Sequence, residues 1–198
     1  MPYQIENILE RIRQRVPGLT EMDLIEIKNH LDLHEVPTRH FISREGSEVT
    51  DMYFLQSGLV KAFYFDETGD EIVINFVEEN SFFTDFYAYH KSLPSKTWFQ
   101  AIEPVVYASL PMAFIERLCE RSHPVEHFYR LIISDIFLNW KSRTEDFQSL
   151  SAEDRYLKFL KDRPRIASRV AVKDIASYLG IGRQSLTRIR KAILTDKK

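Results

Sequence analysis

The chain has a single cysteine, Cys119, among 198 residues. That excludes an intrachain disulfide and an iron–sulfur cluster held by cysteines. No uninterrupted apolar run approaches the roughly 20 residues that span a bilayer, and no charged stretch followed by an apolar one opens the chain. A cytoplasmic protein with no membrane partner is expected. Also lacking are a Gly-rich phosphate loop, a Gly-x-Ser-x-Gly elbow and a Cys–His pairing. Internal repeats and low-complexity linkers are absent from the sequence as well.

One pattern invites an enzymatic reading. His123-Pro-Val-Glu126-His127 fits the H-x-x-E-H of inverted zinc peptidases, with two histidines to share a metal and a glutamate as base. It stands at the start of a helix, however, and no acidic third ligand follows in a metal-facing position. Exposed residues opening a helix account for it better. His34 and His40 are too far apart on a strand, and no His-x-His pair exists, so a metal cupin is not expected either. No catalytic residue, metal or certain cofactor is assigned, and the chain reads as a non-enzyme.

What the chain does have is charge unevenly placed. The overall net charge of −2 conceals a C-terminal part, residues 150–198, with thirteen Lys and Arg against five Asp and Glu. A net +8 there sits beside a net −10 in residues 1–149. A basic end on an acidic body points to a polyanion that meets the end only. Hydrophobic content of 44% and charged content of 28% are ordinary for a soluble globular protein, and the length allows a sizeable core and two domains.

The basic end carries the most legible stretch, Arg169 to Lys191. Ile175, Ala176 and Leu179 fall on one face of a first short helix, and Gly180 stands where the chain must turn. Leu186 and Ile189, three apart, give a second helix its inner face. Its outer face keeps Arg183, Gln184, Ser185, Thr187, Arg188 and Arg190. Arginine suits guanine, glutamine suits adenine, and hydroxyls suit phosphate oxygens. The stretch reads as a helix-turn-helix whose second helix enters a DNA major groove. Any pair of amphipathic helices would share part of this pattern; the charge and the upstream chain favour the DNA reading.

Upstream, apolar residues at 5, 8, 9, 12 and 16 predict a helix ended by Pro17-Gly18, and Thr20 caps a second helix to about His30. From Leu33 to about Leu110, short β-branched and aromatic runs alternate with turn signals. Met52–Leu55, Leu59–Phe65, Glu71–Val77 and Val105–Leu110 are expected strands of an antiparallel sandwich or barrel of the jelly-roll kind. Pro111 opens a short helix to about Glu120. Pro124 suits the first turn of a long one to about Gln148. Along it Val125, Phe128, Tyr129, Ile132, Ile136 and Trp140 follow steps of three and four, with Arg143 and Phe147 beyond, and Ile133 and Phe137 widen the stripe. Phe128, Tyr129, Ile132, Ile136 and Trp140 are expected to form a two-fold homodimer seam; a helix buried on its own barrel is the other reading. A hinge is expected at Gln148 to Ser151, and Ser151-Ala-Glu-Asp154 caps a helix that ends before Pro164.

This order resembles the catabolite activator and fumarate–nitrate regulator (Crp/Fnr) superfamily of transcription regulators over essentially the full length. The resemblance rests on Glu45-Gly46, on Met52-Tyr-Phe-Leu-Gln-Ser-Gly-Leu-Val-Lys61, on the Gly69 hairpin, and on Asp174-Ile-Ala-Ser-Tyr-Leu-Gly180 followed by Arg183-Gln-Ser-Leu-Thr-Arg188. It is most similar to the short Bacteroidetes-type subgroup, which also ends soon after the recognition helix. Only Leu194-Thr-Asp-Lys-Lys198 follow Ile193, so no β-hairpin wing is expected after that helix.

The resemblance implies an α+β fold: a cyclic-nucleotide-binding-type β-roll, or double-stranded jelly roll, with flanking helices over residues 1–122. A dimerisation helix over 123–149 and a helix-turn-helix domain over 150–198 would complete it. It implies double-stranded DNA and RNA polymerase as partners and a small-molecule effector. Base reading falls on Arg183, Gln184 and Arg188, and phosphate holding on Ser185. Where family readers often carry Glu, this chain has Gln184, which changes the expected half-site. A β-roll protein whose helix-turn-helix serves protein contacts stays open as an alternative.

The family's phosphate cassette is Gly-Glu followed about ten residues later by Arg-Ser or Arg-Thr. It corresponds here to Phe83-Thr84-Asp85-Phe86 and Ser95-Lys96-Thr97-Trp98. Thr84 replaces the glycine, Asp85 shortens the acid, Lys96 loses the arginine fork, and the segment between is about one residue longer. An ordinary cyclic nucleotide is therefore not expected. The aromatics Phe82, Phe83, Phe86, Tyr87, Tyr89 and Trp98 either shape a pocket for a more apolar effector or fill the space a nucleotide would take.

Overall fold

The computed structural model describes residues 5–195. Two helices lead, α1 (Ile5–Arg15) and α2 (Glu21–His30). The start of α2 is fixed by a reciprocal cap. Thr20 Oγ1 accepts the Asp23 N–H at 3.1 Å, and Asp23 Oδ2 accepts the Thr20 N–H at 2.9 Å, aspartate taking the place usually held by glutamate.

Eight strands follow: β1 (Asp32–Val36), β2 (Phe41–Ser43), β3 (Asp51–Ser57), β4 (Val60–Phe65), β5 (Glu71–Val77), β6 (Ser81–Phe83), then, after a short helix α3 (Phe86–Lys91), β7 (Trp98–Ala101) and β8 (Val105–Pro111). They pair antiparallel into two four-stranded sheets, β1-β8-β3-β6 and β2-β7-β4-β5. β3, β4, β5 and β8 are the strands that alternation predicts. The other four and α3 are not foreseen. β2 and β6 have three residues each, too few to display a period of two, and β1 is Asp-Leu-His-Glu-Val, polar at three of its five positions.

The chain then runs through α4 (Met112–Cys119), the long α5 (His123–Ser149), α6 (Ala152–Asp162), α7 (Pro164–Arg169), α8 (Val172–Leu179) and α9 (Arg183–Thr195). Pro124 lies in the first turn of α5, whose N-cap is Ser122. Leu150 is extended, at φ −104° and ψ 144°, and Ser151 caps α6 by accepting the Asp154 N–H at 3.1 Å, so the break between the two helices falls inside the expected hinge. α7 is an addition: Pro164 does not merely stop α6 but starts a further turn.

Three apolar layers follow from strand alternation. Met52 and Phe54 of β3, with Ala108 and Leu110 of β8, face helices α1, α2, α4 and α5. Leu55, Val60, Ala62, Phe83, Phe99 and Val105 fill the space between the sheets. The outer face of the second sheet, with Phe63, Val73 and Phe76, is buried against Tyr156, Phe159, Ile175 and Leu179 of the C-terminal helices. The helix-turn-helix is thus seated on the β-roll through a shared core.

Candidate nucleic-acid interface

α8 ends because Gly180 turns left-handed, at φ 61° and ψ 38°; its N–H and that of Ile181 bond back to the last turn of the helix. Ile175, Ala176 and Leu179 are buried on one side of the turn, and Ile181 and Leu186 on the other. Leu186 is 0% exposed and Ile189 half-buried, the inner face that the spacing predicts for α9.

The opposite face of α9 is open. Arg183, Gln184, Thr187, Arg188 and Arg190 are exposed, and Ser185 is partly so. Thr187 Oγ1 donates to the Arg183 carbonyl oxygen at 2.9 Å, and Arg188 Nη2 donates to Ser185 Oγ at 3.3 Å. Among the described residues, no carboxylate makes an ion pair with Arg183, Arg188 or Arg190. The first turn of α9 holds no acid and opens with arginine. That choice works against the helix dipole unless an anion is to be met there, where free N–H groups and a positive end already converge.

Some cations in and around the C-terminal helices are committed elsewhere. Arg169 reaches Glu79 Oε1 at 2.6 Å and also grips Glu103, tying α7 to the β-roll. Lys61, buried on β4, bonds Glu71 and lies 3.6 Å from Asp174 of α8. Ser177 Oγ accepts the Val73 N–H at 2.9 Å and donates to the Glu71 carbonyl oxygen at 2.7 Å. Sequence spacing does not point to these residues; their partners lie ten to more than a hundred positions away. Only a lysine in the middle of the apolar β4 run hinted that its charge would be paired.

The cassette of the β-roll is assembled only in part. Asp85 caps α3 by accepting the Ala88 N–H at 3.1 Å, and it also accepts from Ser95 Oγ at 2.9 Å. Ser95 Oγ in turn accepts the Thr97 N–H at 3.0 Å, and Thr84 Oγ1 donates to the Asp51 carbonyl oxygen at 2.8 Å. The anion at the start of α3 is thus the chain's own carboxylate. Lys96 is exposed. The aromatics expected around one pocket are separated, because neighbouring residues of a strand point to opposite faces. Phe83 lies between the sheets, Phe86 packs on the helical layer, and Trp98 stacks with Phe63 on the outer face, its Nε1 donating to Glu45 at 3.4 Å.

On α5, Phe128 and Ile132 of the expected seam are buried in the chain's own core, Ile132 to 2% exposure, and Tyr129 and Ile136 lean on that core. Trp140 faces outward. The apolar side turned away from the chain is Ile133, Phe137 and Trp140, again in steps of four and three, with Phe137 at 64% exposure. Val125, Phe128 and Ile132 are consumed by packing on α4 and the first sheet, which rotates the open face around the helix. At the start of α5, His123 lies 3.6 Å from Glu126, and His127 bonds Arg130. Among the described residues, no three His, Cys, Asp or Glu side chains are grouped to hold a metal.

Residues 33–122 match the cyclic nucleotide-binding domain family, and most of the chain aligns with a curated regulator. That relative is the cAMP-activated global transcriptional regulator CRP of Pasteurella multocida, 17% identical over 175 residues, which cover 83% of this chain and 84% of the relative. Residues 33–122 are thus a cyclic nucleotide-binding domain.

Several solved structures have the same fold. FixK2 from Bradyrhizobium japonicum superposes with a TM-score of 0.73 at 16% identity, over 84% of this chain and 86% of that one. The c-di-GMP responsive global regulator CLP of Xanthomonas campestris gives 0.72 at 16% identity, over 97% and 93%. A putative regulator of the crp/fnr family from Eubacterium rectale gives 0.71 at 16% identity, over 91% and 86%. These matches span both the β-roll and the C-terminal helices, so the α8–α9 pair belongs to the shared fold. No helix of the described residues is long and apolar enough to cross a membrane.

Proposed function

We propose that this chain is a DNA-binding transcription regulator of the Crp/Fnr type that works in the cytoplasm as a homodimer and acts on transcription by RNA polymerase. Each α9 reads one half of a palindromic site. The observation that carries the reading is the row of arginines on α9, exposed and, among the described residues, free of carboxylate partners, on a helix whose inner face packs inward through Leu186 and Ile189. Arg183, Gln184 and Arg188 read base edges; Ser185, Thr187 and Arg190 hold phosphates. The open side of α5, with Ile133, Phe137 and Trp140, meets its copy across the two-fold axis and sets the half-sites about 34 Å apart. With Asp85 capping α3, the β-roll cassette is a self-satisfied core and not a cyclic nucleotide site.

Selection of random duplex DNA by the purified protein tests this. An enriched palindrome is expected, bound with an affinity that falls steeply with salt. Arg183→Ala or Arg188→Ala should weaken the selected site by about 1–3 kcal/mol and relax preference at one base each. No enrichment under any salt condition would transfer the helix-turn-helix to protein contacts.

A further inference from the structure

Between α5, α6 and α8 lies a cleft of about 200 Å³. One wall is Arg143, a residue of the long helix. A half-buried guanidinium with a fully buried Nε ordinarily finds a carboxylate, because an unpaired charge out of water is costly. Arg143 has none among the described residues. Its Nη2 donates to the Tyr178 and Val73 carbonyl oxygens at 2.9 and 3.3 Å, and its Nε is buried without a protein partner. Burial holds its pKa below the ordinary arginine value.

The rest of the wall keeps the balance positive. Arg155 and Arg163 also line the cleft. Arg155 spends its donors on the Leu179 and Leu150 carbonyl oxygens, and Arg163 makes one long contact, 3.4 Å, to Asn75. Of the acids present, Asp146 is held by Lys158 at 2.6 Å to both oxygens, and Asp162 pairs with none of the three arginines. Aromatic rings complete the lining. The Arg143 guanidinium lies 4.8 Å from the Tyr178 ring centroid and 4.9 Å from that of Phe147, and both rings border the cleft. The guanidinium covers the ring faces turned toward it, so a flat ligand would pack against the remaining edges of those rings while its charged end met the open side of Arg143 and the loosely held Arg163.

We propose that this cleft binds a small aromatic anion, a carboxylate or phosphate carried on a flat apolar ring. The site lies at the junction of α5 with the helix-turn-helix, apart from the β-roll cassette, and it stands whether or not α9 reads DNA. Because Phe147 comes from α5 and Tyr178 from α8, an occupant joins the two and favours the seated arrangement of the C-terminal helices.

The test uses the full chain and three probes, benzoate, phenyl phosphate and neutral benzamide, at matched ionic strength. Thermal unfolding and calorimetric titration should show saturable binding of benzoate or phenyl phosphate, with a midpoint rise of several degrees, and none for benzamide. Ser142→Trp, from an exposed position on the cleft wall, should abolish the rise; Arg163→Gln should weaken binding about tenfold. Arg143→Gln tests the central cation, and Ser142→Trp keeps the question decidable if that variant does not fold. The proposal is overturned if neither anion binds, if benzamide binds equally, or if Ser142→Trp responds like the unmodified chain.

Discussion

The Ser177 hydroxyl lies 2.7 Å from the carbonyl oxygen of Glu71 and, on its other side, accepts the Val73 N–H. β5 is the outer strand of its sheet, so these two backbone groups face no further strand. A hydroxyl is donor and acceptor at once, and one serine on α8 therefore stands in for a neighbouring strand along that edge. Around this stitch, Lys61 with Asp174, and Arg169 with Glu79 and Glu103, fasten the same helices to the β-roll.

Ser177→Ala removes both bonds while changing almost no volume. A net loss of about 1–2 kcal/mol is expected from the two unmade hydrogen bonds. Amide exchange should show the Val73 N–H losing protection before the centre of β4 does. Unchanged exchange at Val73 would mean that the edge is held by packing alone.

The Arg169 bridge should weaken in acid. Burial pushes the Glu79 carboxyl up, but hydrogen bonds from Arg169 and from the backbone outweigh it and leave the group below its ordinary value of 4.5. A carboxyl lowered in the folded state contributes stability above its ordinary value and loses it as pH falls through the folded value. Seating of α7 should thus be intact at neutral pH and fail below about pH 4.5. Limited proteolysis near Arg169 across that range reads the change, and Glu79→Gln should flatten it.

Much of this architecture is legible in the sequence. The caps at Thr20 and Ser151, the stop at Gly180, and the inner faces of α8 and α9 all act over three or four residues, where spacing determines contact. β3, β4, β5 and β8 are legible because their β-branched and aromatic runs are long and bounded by turn signals. What stayed hidden depends on partners far along the chain. Nothing local to Phe128 or Ile132 tells whether a neighbouring layer or a second copy covers them. Nothing local to Phe83 and Trp98 tells that one enters the sandwich and the other leaves it. The cassette's departures were visible as missing glycine and arginine, but Asp85 capping α3 required the fold.

The open side of α5 is a sharper target than the stripe read from sequence. Phe137→Asp places a charge where the chain itself buries nothing, so the folded monomer should be unharmed. If Ile133, Phe137 and Trp140 meet a second copy, light scattering should show a shift from dimer to monomer, with a dimerisation loss of 2 kcal/mol or more, roughly that of a central hot spot. Ile132→Asp should instead unfold the chain. A Phe137→Asp variant that stays dimeric would place the two-fold axis elsewhere.

Gly180 and Phe147 couple the turn of the helix-turn-helix to the long helix. A Cβ built on Gly180 would fall 2.6 Å from Phe147 Cε1, closer than carbon atoms tolerate. Gly69 offers the control: it too has positive φ, 87°, but a Cβ there meets nothing within 4 Å. Gly69→Ala should therefore cost only the backbone penalty of a left-handed residue, about 1–2 kcal/mol. Gly180→Ala bears that penalty and the clash, so its loss should be clearly larger. Adding Phe147→Ala should relieve the clash alone, bringing the further cost of Gly180→Ala down to that of Gly69→Ala. Denaturant unfolding of the three variants and the pair, treated as a double-mutant cycle, reads this difference. Additive losses at 147 and 180 would show that the ring yields freely and that α5 does not hold the turn.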